Sequence, residues 1–203
     1  IKAQPDLILA HESQKATQGK VLKDMSESGI KVAYVKDAQS INEMYESFEQ
    51  IGKLTGREKQ AKSLIDETKA NIKKVTDSVP KQKKEPKVFI EIASEPEIYT
   101  AGKGTFMNDM LKQLHAKNVF DNTEGWPKVS KEQIIKKNPD VMVSTAGVST
   151  KDYQQSVKQR GGFEQIRAVK KESVVALNDD MLSRPGPRLD DAMKLLRDAI
   201  YEK

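Results

Sequence analysis

A ten-residue pattern that occurs twice is the feature that most limits what this chain can fold into. Residues 1–10 read IKAQPDLILA and residues 135–144 read IKKNPDVMVS, with Ile, Lys, Pro and Asp in the same register. The proline ends a helix, the aspartate suits a turn, and the apolar residues that follow predict a strand. Each copy is followed by a loop, a helical pattern, a glycine and a second strand, so the sequence predicts two α/β lobes of one plan.

The rest of the chain also alternates strands with helices. Short apolar runs predict strands at 7–10, 30–35, 88–92, 141–144 and 174–177. Apolar residues at three- and four-residue spacing predict a helix over 41–54, capped by Ser40 or Asp37 and ended by Gly56. A longer pattern over 57–79 predicts a helix of roughly 35 Å between the lobes. Strands that alternate with helices indicate an α/β fold with largely parallel sheets.

Composition excludes several classes of protein. The chain has 203 residues and no cysteine, which excludes disulfides and thiolate chemistry. No apolar run approaches the roughly 18 residues that a membrane helix needs. The formal net charge is +5, and we interpret the densest basic run, at 81–84, as a solvated helix end and linker. Arginine is scarce and aromatic residues make up 5% of the chain, so a nucleic-acid surface is disfavoured.

The two copies of the pattern differ in what precedes them. A segment from Lys87 onward leads into the second copy, whereas the first copy begins at residue 1. The hypothesis that follows is a first lobe that lacks on the order of 50 residues at its N-terminus, as in a fragment or a trimmed product. Such a fragment would leave sheet edges open and could dimerise to cover them.

Four segments resemble one known family in their order and spacing. They are PDLILA (5–10), VFIEIASEPEIYTAGKGTFMNDMLKQLHAKNVF (88–120), GWPKVSKEQIIKKNPDVMVST (125–145) and SRPGPRLDDAMKLL (183–196). Together they resemble the substrate-binding proteins of bacterial ABC importers for vitamin B12, iron-siderophores and haem. The segment LHAKN (114–118) departs from that family's leucine-glycine-glycine-x-asparagine pattern, which puts the local turn in question.

The resemblance implies a fold, a function and a location. It implies two Rossmann-like lobes joined by a single long rigid helix, with the remainder of the N-terminal lobe at 1–56, the connecting helix at 57–80 and the C-terminal lobe at 81–203. It further implies an extracytoplasmic protein, periplasmic or a cell-surface lipoprotein, that captures a metal chelate between its lobes. The chelate would pass to the permease subunits of an ABC importer in the membrane. Such a protein is not an enzyme, has no cofactor of its own and has no nucleic-acid partner.

Ligands of the resembling family lie at the C-terminal ends of strands, which agrees with the general rule for open α/β sheets. The resemblance therefore implies a pocket lined by loop residues just past strands, and by motif position six residues are candidates for ligand binding: His11, Tyr99, Trp126, Asp180, Met181 and Arg184. The sequence contains no H-x-x-H, H-E-x-x-H or clustered carboxylate pattern, so no metal site is predicted.

The candidates leave the choice of chelate open. Trp126, the single tryptophan, either caps the core of the second lobe or stacks on a large apolar ligand, and it favours a cobalamin-like chelate. Arg184 could bind carboxylate or catecholate groups of a siderophore. His11 with Tyr99 keeps haem open, although surface and packing roles are the ordinary ones for both residue types. The second histidine, His115, is predicted to lie within a helix and has no ligand spacing to the first.

Glu132 has a different candidate role. It lies in the first turn of a helix that Ser130 and Gln133 are predicted to begin with a capping box, and the helix dipole favours a carboxylate there. The resemblance implies that a surface glutamate at this position pairs with arginines of the membrane permease.

The stretch YTAGKGTF at 99–106 suggests the main alternative function. A glycine-rich turn with a lysine and a threonine before a helix holds phosphate in many nucleotide-binding proteins. Lys103 precedes the second glycine, so neither G-x-x-x-x-G-K-[ST] nor G-x-G-x-x-G is matched, and no nucleophile–base pair is evident. A nucleotide-dependent Rossmann enzyme is therefore the weaker interpretation. The stronger one is a strand-to-helix turn in which Thr105 caps a helix from Phe106, with exposed amides that could still receive an acidic group of a chelate.

Overall fold

The computed structural model describes residues 3–202, apart from the side chain of Asp179. The fold is mixed α/β, as the alternation of strands and helices predicts. The chain divides into two compact units, with the division between Glu67 and Thr68, and we call them unit 1 and unit 2. Ile1 and Lys2, which open the first copy of the repeated pattern, lie outside the described residues.

Unit 1 begins with a strand, a helix and a second strand. These elements are β1 (Leu7–His11), α1 (Gln14–Glu27) and β2 (Lys31–Val35). Within residues 3–202, β1 and β2 form a two-stranded parallel sheet that places Leu7 opposite Lys31 and His11 opposite Val35. Leu9, in the middle of β1, is 41% exposed. The two strands therefore share a ladder of hydrogen bonds, but β1 is only partly covered.

The second helix of unit 1 is α2 (Ile41–Thr55). The Ser40 hydroxyl caps it by accepting a hydrogen bond from the Glu43 N–H at 3.2 Å. Gly56 ends it in the left-handed conformation, with φ of 66°, which glycine adopts without steric cost. The helix buries an apolar face that includes Met44, Tyr45 and Phe48. Both ends of α2 thus lie where the sequence predicts them.

The longest helix, among the described residues, is α3 (Glu58–Asp77), and the division between the units falls within it. Ile65, Thr68 and Ile72 are buried along one side of this helix, at the three- and four-residue spacing of an amphipathic helix. No helix among residues 3–202 combines the length and apolar character that crossing a membrane requires.

Unit 2 is built around one sheet. Its elements are β3 (Lys87–Ala93), β4 (Ile98–Thr100), α4 (Phe106–Gln113), β5 (Lys117–Asn118), β6 (Lys128–Val129), α5 (Lys131–Lys137), β7 (Val141–Ser144), α6 (Thr150–Gln159), a short 3-10 helix (Phe163–Gln165), α7 (Arg167–Lys170), β8 (Val174–Ala176), α8 (Asp179–Leu182) and α9 (Leu189–Tyr201). The strand order in the described residues is β6-β4-β3-β7-β8, and β5 pairs with the start of β3. β5, β7 and β8 run parallel to β3, and β4 is antiparallel to its neighbours β3 and β6.

The core of unit 2 lies against the middle of this sheet. One buried apolar cluster joins Phe89 of β3 and Met142 of β7 to Ile134, Tyr153 and Phe163 from the helical segments. All four residues of β7 are buried, and β3 and β8 pair with it on its two sides. A strand that is covered in this way reads as a continuous apolar run, which is what the sequence shows at 141–143.

Both copies of the repeated pattern form the structure that the sequence predicts. Pro5 and Asp6 precede β1, while Pro139 and Asp140 precede β7. Each of these strands then pairs in parallel with the strand that follows its helical stretch, β2 in one unit and β8 in the other. The expectation of one strand–helix–strand plan in each unit is confirmed.

The turn at 114–118 differs from the sequence prediction. α4 ends before it and His115 lies in the turn with φ of 53°, so the prediction that His115 lies within a helix is wrong. A positive φ is easiest for glycine, which agrees with the glycines of the resembling family at this point. The Tyr201 hydroxyl lies 2.8 Å from the carbonyl oxygen of Leu114 and 3.0 Å from that of His115. A contact from α9 therefore holds a turn that lacks the usual glycine.

Candidate functional site

The carboxyl edge of the unit 2 sheet is where open α/β sheets commonly bind ligands. β3, β7 and β8 end at this edge at Ala93, Ser144 and Ala176. Three of the predicted site residues do not follow a strand as expected, since Tyr99 lies inside β4, Trp126 lies two residues before β6 and His11 is the last residue of β1. The expectation of loop positions just past strands is therefore wrong for these three residues.

A buried ion pair lies at the end of β3. Arg160 donates to both carboxylate oxygens of Glu91, from Nη1 at 2.6 Å and from Nη2 at 2.7 Å. The hydroxyls of Tyr153 and Ser94 donate to the same carboxylate at 3.2 Å and 2.6 Å. Ser94 is the first residue after β3, so this network ties the loop at the carboxyl edge to the core.

Burial and pairing act in opposite directions on the charge of Arg160. Burial disfavours the charged guanidinium, but the hydrogen bonds and charge of Glu91 outweigh it, so the pKa of Arg160 is raised. Burial raises the pKa of the Tyr153 hydroxyl well above its usual value. The guanidinium carbon lies 5.5 Å from the centre of the Phe163 ring, within cation–π range. One signal of this network is visible in the strand run VFIEI, where a glutamate lies between two isoleucines, and our sequence interpretation missed it.

Ion pairs join the loop after β3 to β6 and α5. Glu95 pairs with Lys131, and Glu97 pairs with Lys128 at 2.5 Å. The hydrogen bonds from these lysines lower the pKa of Glu95 and of Glu97. The Tyr99 hydroxyl donates to Glu97 at 3.3 Å. Tyr99 therefore belongs to a charged surface cluster, which consists of Glu95, Glu97, Tyr99, Lys128 and Lys131.

Trp126 is 46% exposed, although the main chain on both sides of it is held by hydrogen bonds. The Gly125 carbonyl accepts from the Gly102 N–H at 2.8 Å, and the Pro127 carbonyl accepts from the Thr100 N–H at 3.1 Å. Half of the indole surface is therefore open, and the interpretation that Trp126 caps the core of unit 2 is not favoured. A fixed backbone with an open aromatic face suits stacking on a flat apolar ligand.

The polar groups of the glycine turn at 102–105 form hydrogen bonds and an ion pair with other residues of unit 2. The Gly102 and Lys103 N–H groups donate to carbonyl oxygens of Gly125 and Thr123, and the Lys103 ammonium lies 2.9 Å from a Glu124 carboxylate oxygen. A Cβ added to Gly102 would lie 2.0 Å from the Thr123 carbonyl oxygen, so close approach of two backbone segments requires glycine there.

The same turn begins α4 as the sequence predicts. Thr105 caps the helix by accepting a hydrogen bond from the Asn108 N–H at 3.3 Å. The expectation that the amides of this turn stay exposed is wrong for Gly102 and Lys103, which weakens the idea that an acidic group rests on them.

Three more of the predicted residues follow β8. Asp180 and Met181 lie in the short helix α8, so the expectation of a loop position is wrong for both, and Arg184 lies just after that helix. Arg184 lies 3.0 Å from Asp180 across one helical turn, and their side chains are 78% and 60% exposed. The Met181 N–H donates to the side-chain oxygen of Asn178 at 3.3 Å, and the Met181 side chain is half-buried. Arg184 thus presents a guanidinium to solvent, and Asp180 offsets part of its charge.

His11 is the predicted site residue of unit 1, at the end of β1. Its Nδ1 lies 3.0 Å from Asp37 Oδ1, and its side chain is 66% exposed. Asp37 also accepts a hydrogen bond from the Ser13 N–H at 2.8 Å, which fixes the carboxylate. No group of three or more His, Cys, Asp or Glu that could hold a metal ion occurs among the described residues.

Glu132 is exposed in the first turn of α5. The predicted capping box is present, because Ser130 accepts from the Gln133 N–H and the Gln133 side chain accepts from the Ser130 N–H. Hydrogen bonds from the Ser130 hydroxyl and from its own N–H lower the pKa of Glu132. The side chain is therefore a carboxylate at the surface at neutral pH.

Comparison with known proteins gives a consistent result. A family model described as periplasmic binding protein matches residues 1–181. The ABC transporter substrate-binding lipoprotein YvrC of Bacillus subtilis is 41% identical over 203 residues, which cover 99% of this chain and 63% of the relative. A cobalamin-binding protein of Halobacterium salinarum is 27% identical, with 97% of this chain and 53% of the relative covered. The chain thus spans less than two thirds of the length of these two relatives.

Solved structures share the fold. A Staphylococcus epidermidis protein described as a possible iron-binding, periplasmic solute-binding protein is 59% identical with a TM-score of 0.94, and the match covers 99% of this chain and 78% of that one. The apo form of the periplasmic haem-binding protein RhuT from Roseiflexus has a TM-score of 0.86 at 20% identity, with coverage of 100% and 78%. At that identity the second match shows the fold alone.

Proposed function

The chain belongs to the periplasmic binding protein family, and we propose that it is the extracytoplasmic substrate-binding component of an ABC importer for a metal chelate. The proposal includes delivery of the chelate to a membrane permease and a location at the cell surface or in the periplasm. The similarity to a substrate-binding lipoprotein supports the location.

Trp126 is the observation that carries the ligand class. Its indole is nearly half exposed, while hydrogen bonds fix the backbone on both sides of it. A flat macrocyclic chelate such as a corrin would cover this face and gain stacking and burial energy. We therefore favour a cobalamin-like chelate, in agreement with the relative that is named cobalamin-binding.

An iron chelate is the second candidate. The Staphylococcus epidermidis protein with 59% identity is described as a possible iron-binding protein. Arg184 presents an exposed guanidinium that could bind carboxylate or catecholate groups of a siderophore. Haem is a further form of this candidate, in which Tyr99 or His11 would approach the iron.

A binding role fits the polar groups of unit 2 better than catalysis does. Glu91 shares its two oxygens with Arg160, Tyr153 and Ser94, so it is poorly placed to accept a proton from a substrate. Glu95 and Glu97 are paired with lysines, and the hydrogen bonds lower their pKa values away from neutrality. We propose on this basis that the protein is not an enzyme.

Equilibrium dialysis of the full-length protein tests the ligand class. The panel is cyanocobalamin, a ferric hydroxamate, a ferric catecholate and haemin. We expect saturable binding of one chelate, with cyanocobalamin first. Trp126→Ala should weaken that binding roughly three- to tenfold because the stacking face is lost, and Trp126→Phe should recover part of it. Absence of saturable binding for every chelate would refute the proposal, and binding of an iron chelate alone would replace cobalamin.

Glu132 is proposed to dock on the permease. Its carboxylate is exposed and ionised, as pairing with permease arginines requires. Glu132→Lys should lower uptake of labelled chelate by cells that carry the importer, while chelate affinity in dialysis stays unchanged. Glu164, an exposed glutamate elsewhere in unit 2, gives the matched control Glu164→Lys, which should not affect uptake. A loss of chelate affinity in Glu132→Lys would contradict the docking role.

A further inference from the structure

The excess positive charge of this chain is concentrated in one segment of unit 2. Residues 69–87 contain seven lysines and two acidic residues, Asp77 and Glu85, which gives a formal charge of +5. The whole chain has the same formal charge of +5, so the remainder is neutral overall. The lysines are Lys69, Lys73, Lys74, Lys81, Lys83, Lys84 and Lys87. We call residues 69–87 the basic segment.

The structure leaves most of these lysines exposed. The segment comprises the last turns of α3 and the stretch that leads into β3, and six of its seven lysine side chains are exposed while Lys87 is half-buried. Lys73 pairs with Asp77 at 2.7 Å. Lys81, Lys83 and Lys84 form no ion pair with any carboxylate in residues 3–202. The ammonium groups at 81, 83 and 84 are therefore available to a partner without the loss of an ion pair.

Two acidic groups of α9, Asp198 and Glu202, are already engaged by an arginine that contacts the basic segment. Arg197 of α9 donates to the Ser78 hydroxyl at 2.6 Å, which holds α9 against the segment. The same guanidinium pairs with Asp198 and with Glu202. These two carboxylates are thereby neutralised locally, and the field of the lysines remains positive.

We propose that the basic segment docks on an anionic phospholipid surface. A polybasic segment gains about fivefold in affinity for each lysine that approaches such a surface, and clusters of four to eight basic residues are typical. Lysine, a point charge on a flexible stem, suits the diffuse negative charge of a bilayer and needs no fixed geometry. Pro80 and Pro86 flank the run at 81–84 and favour an extended chain, which spreads the three ammonium groups.

The composition of the segment disfavours nucleic acid as the partner. The basic segment contains no arginine and no aromatic side chain. Nucleic-acid surfaces, in contrast, combine basic residues with aromatic or arginine stacking. The proposal is independent of which chelate the protein carries. It would bring the protein close to a membrane in which a permease lies.

Vesicle sedimentation tests the proposal with the full-length protein lacking any lipid anchor. The vesicles contain equal parts of phosphatidylglycerol and phosphatidylcholine, and pure phosphatidylcholine vesicles serve as the neutral reference. Lys81, Lys83 and Lys84 are changed together to glutamine. Each lysine removed should lower the affinity for anionic vesicles about fivefold, so this variant should bind them on the order of 100-fold more weakly. Binding of the wild type should also fall when sodium chloride rises from about 50 to about 500 mM.

The matched control changes Lys15, Lys20 and Lys23 of α1 to glutamine. It removes the same charge from the chain, but residues 12–27 contain three lysines and three acidic residues and are neutral overall. This control should bind like the wild type. Equal loss in the control, unchanged binding in the 81/83/84 variant, or equal wild-type binding to neutral vesicles would each overturn the proposal. Tighter binding of the wild type to duplex DNA than to anionic vesicles, at equal phosphate concentration, would overturn it in favour of nucleic acid.

Discussion

The two strand–helix–strand stretches that begin with the repeated pattern have the same topology and very different surroundings. In unit 1, β1 pairs with β2 alone among the described residues, and Leu9 is 41% exposed. In unit 2, β7 lies between β3 and β8, and Val143 is fully buried. The same local pattern therefore specifies a strand in both places, but the surrounding elements determine how much of each strand is buried.

The aspartates of the two Pro-Asp turns, Asp6 and Asp140, also differ in their side-chain contacts. Asp140 accepts a hydrogen bond from the Lys87 N–H at 2.9 Å and pairs with Arg167 at 3.2 Å. The Asp6 carboxylate forms no hydrogen bond or ion pair with residues 3–202. A residue that suits a turn by its local preference acquires a tertiary role only where another element lies within reach.

The largest expected effect comes from breaking the buried pair of unit 2. Arg160→Met leaves Glu91 charged and buried, which should lower the free energy of unfolding by about 3–5 kcal/mol. Lys36→Met in unit 1 removes one partner of a solvent-accessible pair, in which Lys36 lies 2.8 Å from Glu43, and should have a far smaller effect because water screens this pair. Urea unfolding followed by far-ultraviolet circular dichroism measures both. Equal effects of the two variants would show that burial does not distinguish the pairs.

A smaller effect is expected from glycines with different surroundings. A Cβ on Gly102 of unit 2 would lie 2.0 Å from the Thr123 carbonyl oxygen, whereas a Cβ on Gly19 of α1 would have no atom within 4 Å. Gly102→Ala should therefore lower the free energy of unfolding by about 2–3 kcal/mol, because two backbone segments must separate.

Gly19→Ala is the matched comparison, with the opposite sign. It should raise the stability of unit 1 by about 0.5–1 kcal/mol, since alanine favours a helix interior over glycine. Amide hydrogen exchange resolves the change to each unit. Tolerance of alanine at 102 would contradict the close backbone approach, and destabilisation at 19 would contradict the open space there.

The smallest expected effect appears at high pH. Burial raises the pKa of Tyr153 in the folded protein, while the unfolded chain titrates near pH 10. Above about pH 10 the unfolded state releases this proton first, so the free energy of unfolding falls, by up to about 1.4 kcal/mol per pH unit. Tyr153→Phe removes this contribution and should flatten the fall between about pH 10 and about pH 11.

Tyr45 of unit 1 provides the comparison for this titration. Burial raises its pKa as well, but Tyr45 keeps 8% of its surface exposed and Tyr153 keeps 1%. Tyr45→Phe should therefore flatten the alkaline loss less than Tyr153→Phe does. Urea unfolding at several pH values measures both slopes, and a slope unchanged by Tyr153→Phe would contradict the raised pKa.

Much of the fold could be predicted because its signals are local. The repeated Pro-Asp turns, the capping residues Ser40, Thr105 and Ser130, and the stop at Gly56 lie where the sequence places them. Each depends on backbone preferences and on hydrogen bonds within a few residues. His115 is the exception, because a tertiary contact from Tyr201 rather than local preference accompanies its left-handed turn.

The candidate site could be predicted less well. Capping geometry identified the helix start that carries Glu132, and the single tryptophan drew attention to Trp126. The exposure of that indole could not be read from the sequence, because it depends on which segments pack nearby. The pairing of Glu97 with Lys128 could not be read either, because the two residues are 31 positions apart in the chain. The docking role of Glu132 and the six ligand-binding assignments stay predictions.

The sequence by itself determined the α/β plan of each unit and the ends of several helices, because periodicity and capping operate over a few residues, while the resemblance of four segments indicated the family. Only the tertiary structure decided that Glu91 is buried with Arg160, 69 residues away, and that Gly102 is needed for a close backbone approach. It also decided that the basic segment is left without carboxylate partners at 81, 83 and 84. Burial and ion pairing depend on which residues are close in space, and residues that are close in space can be far apart in the sequence.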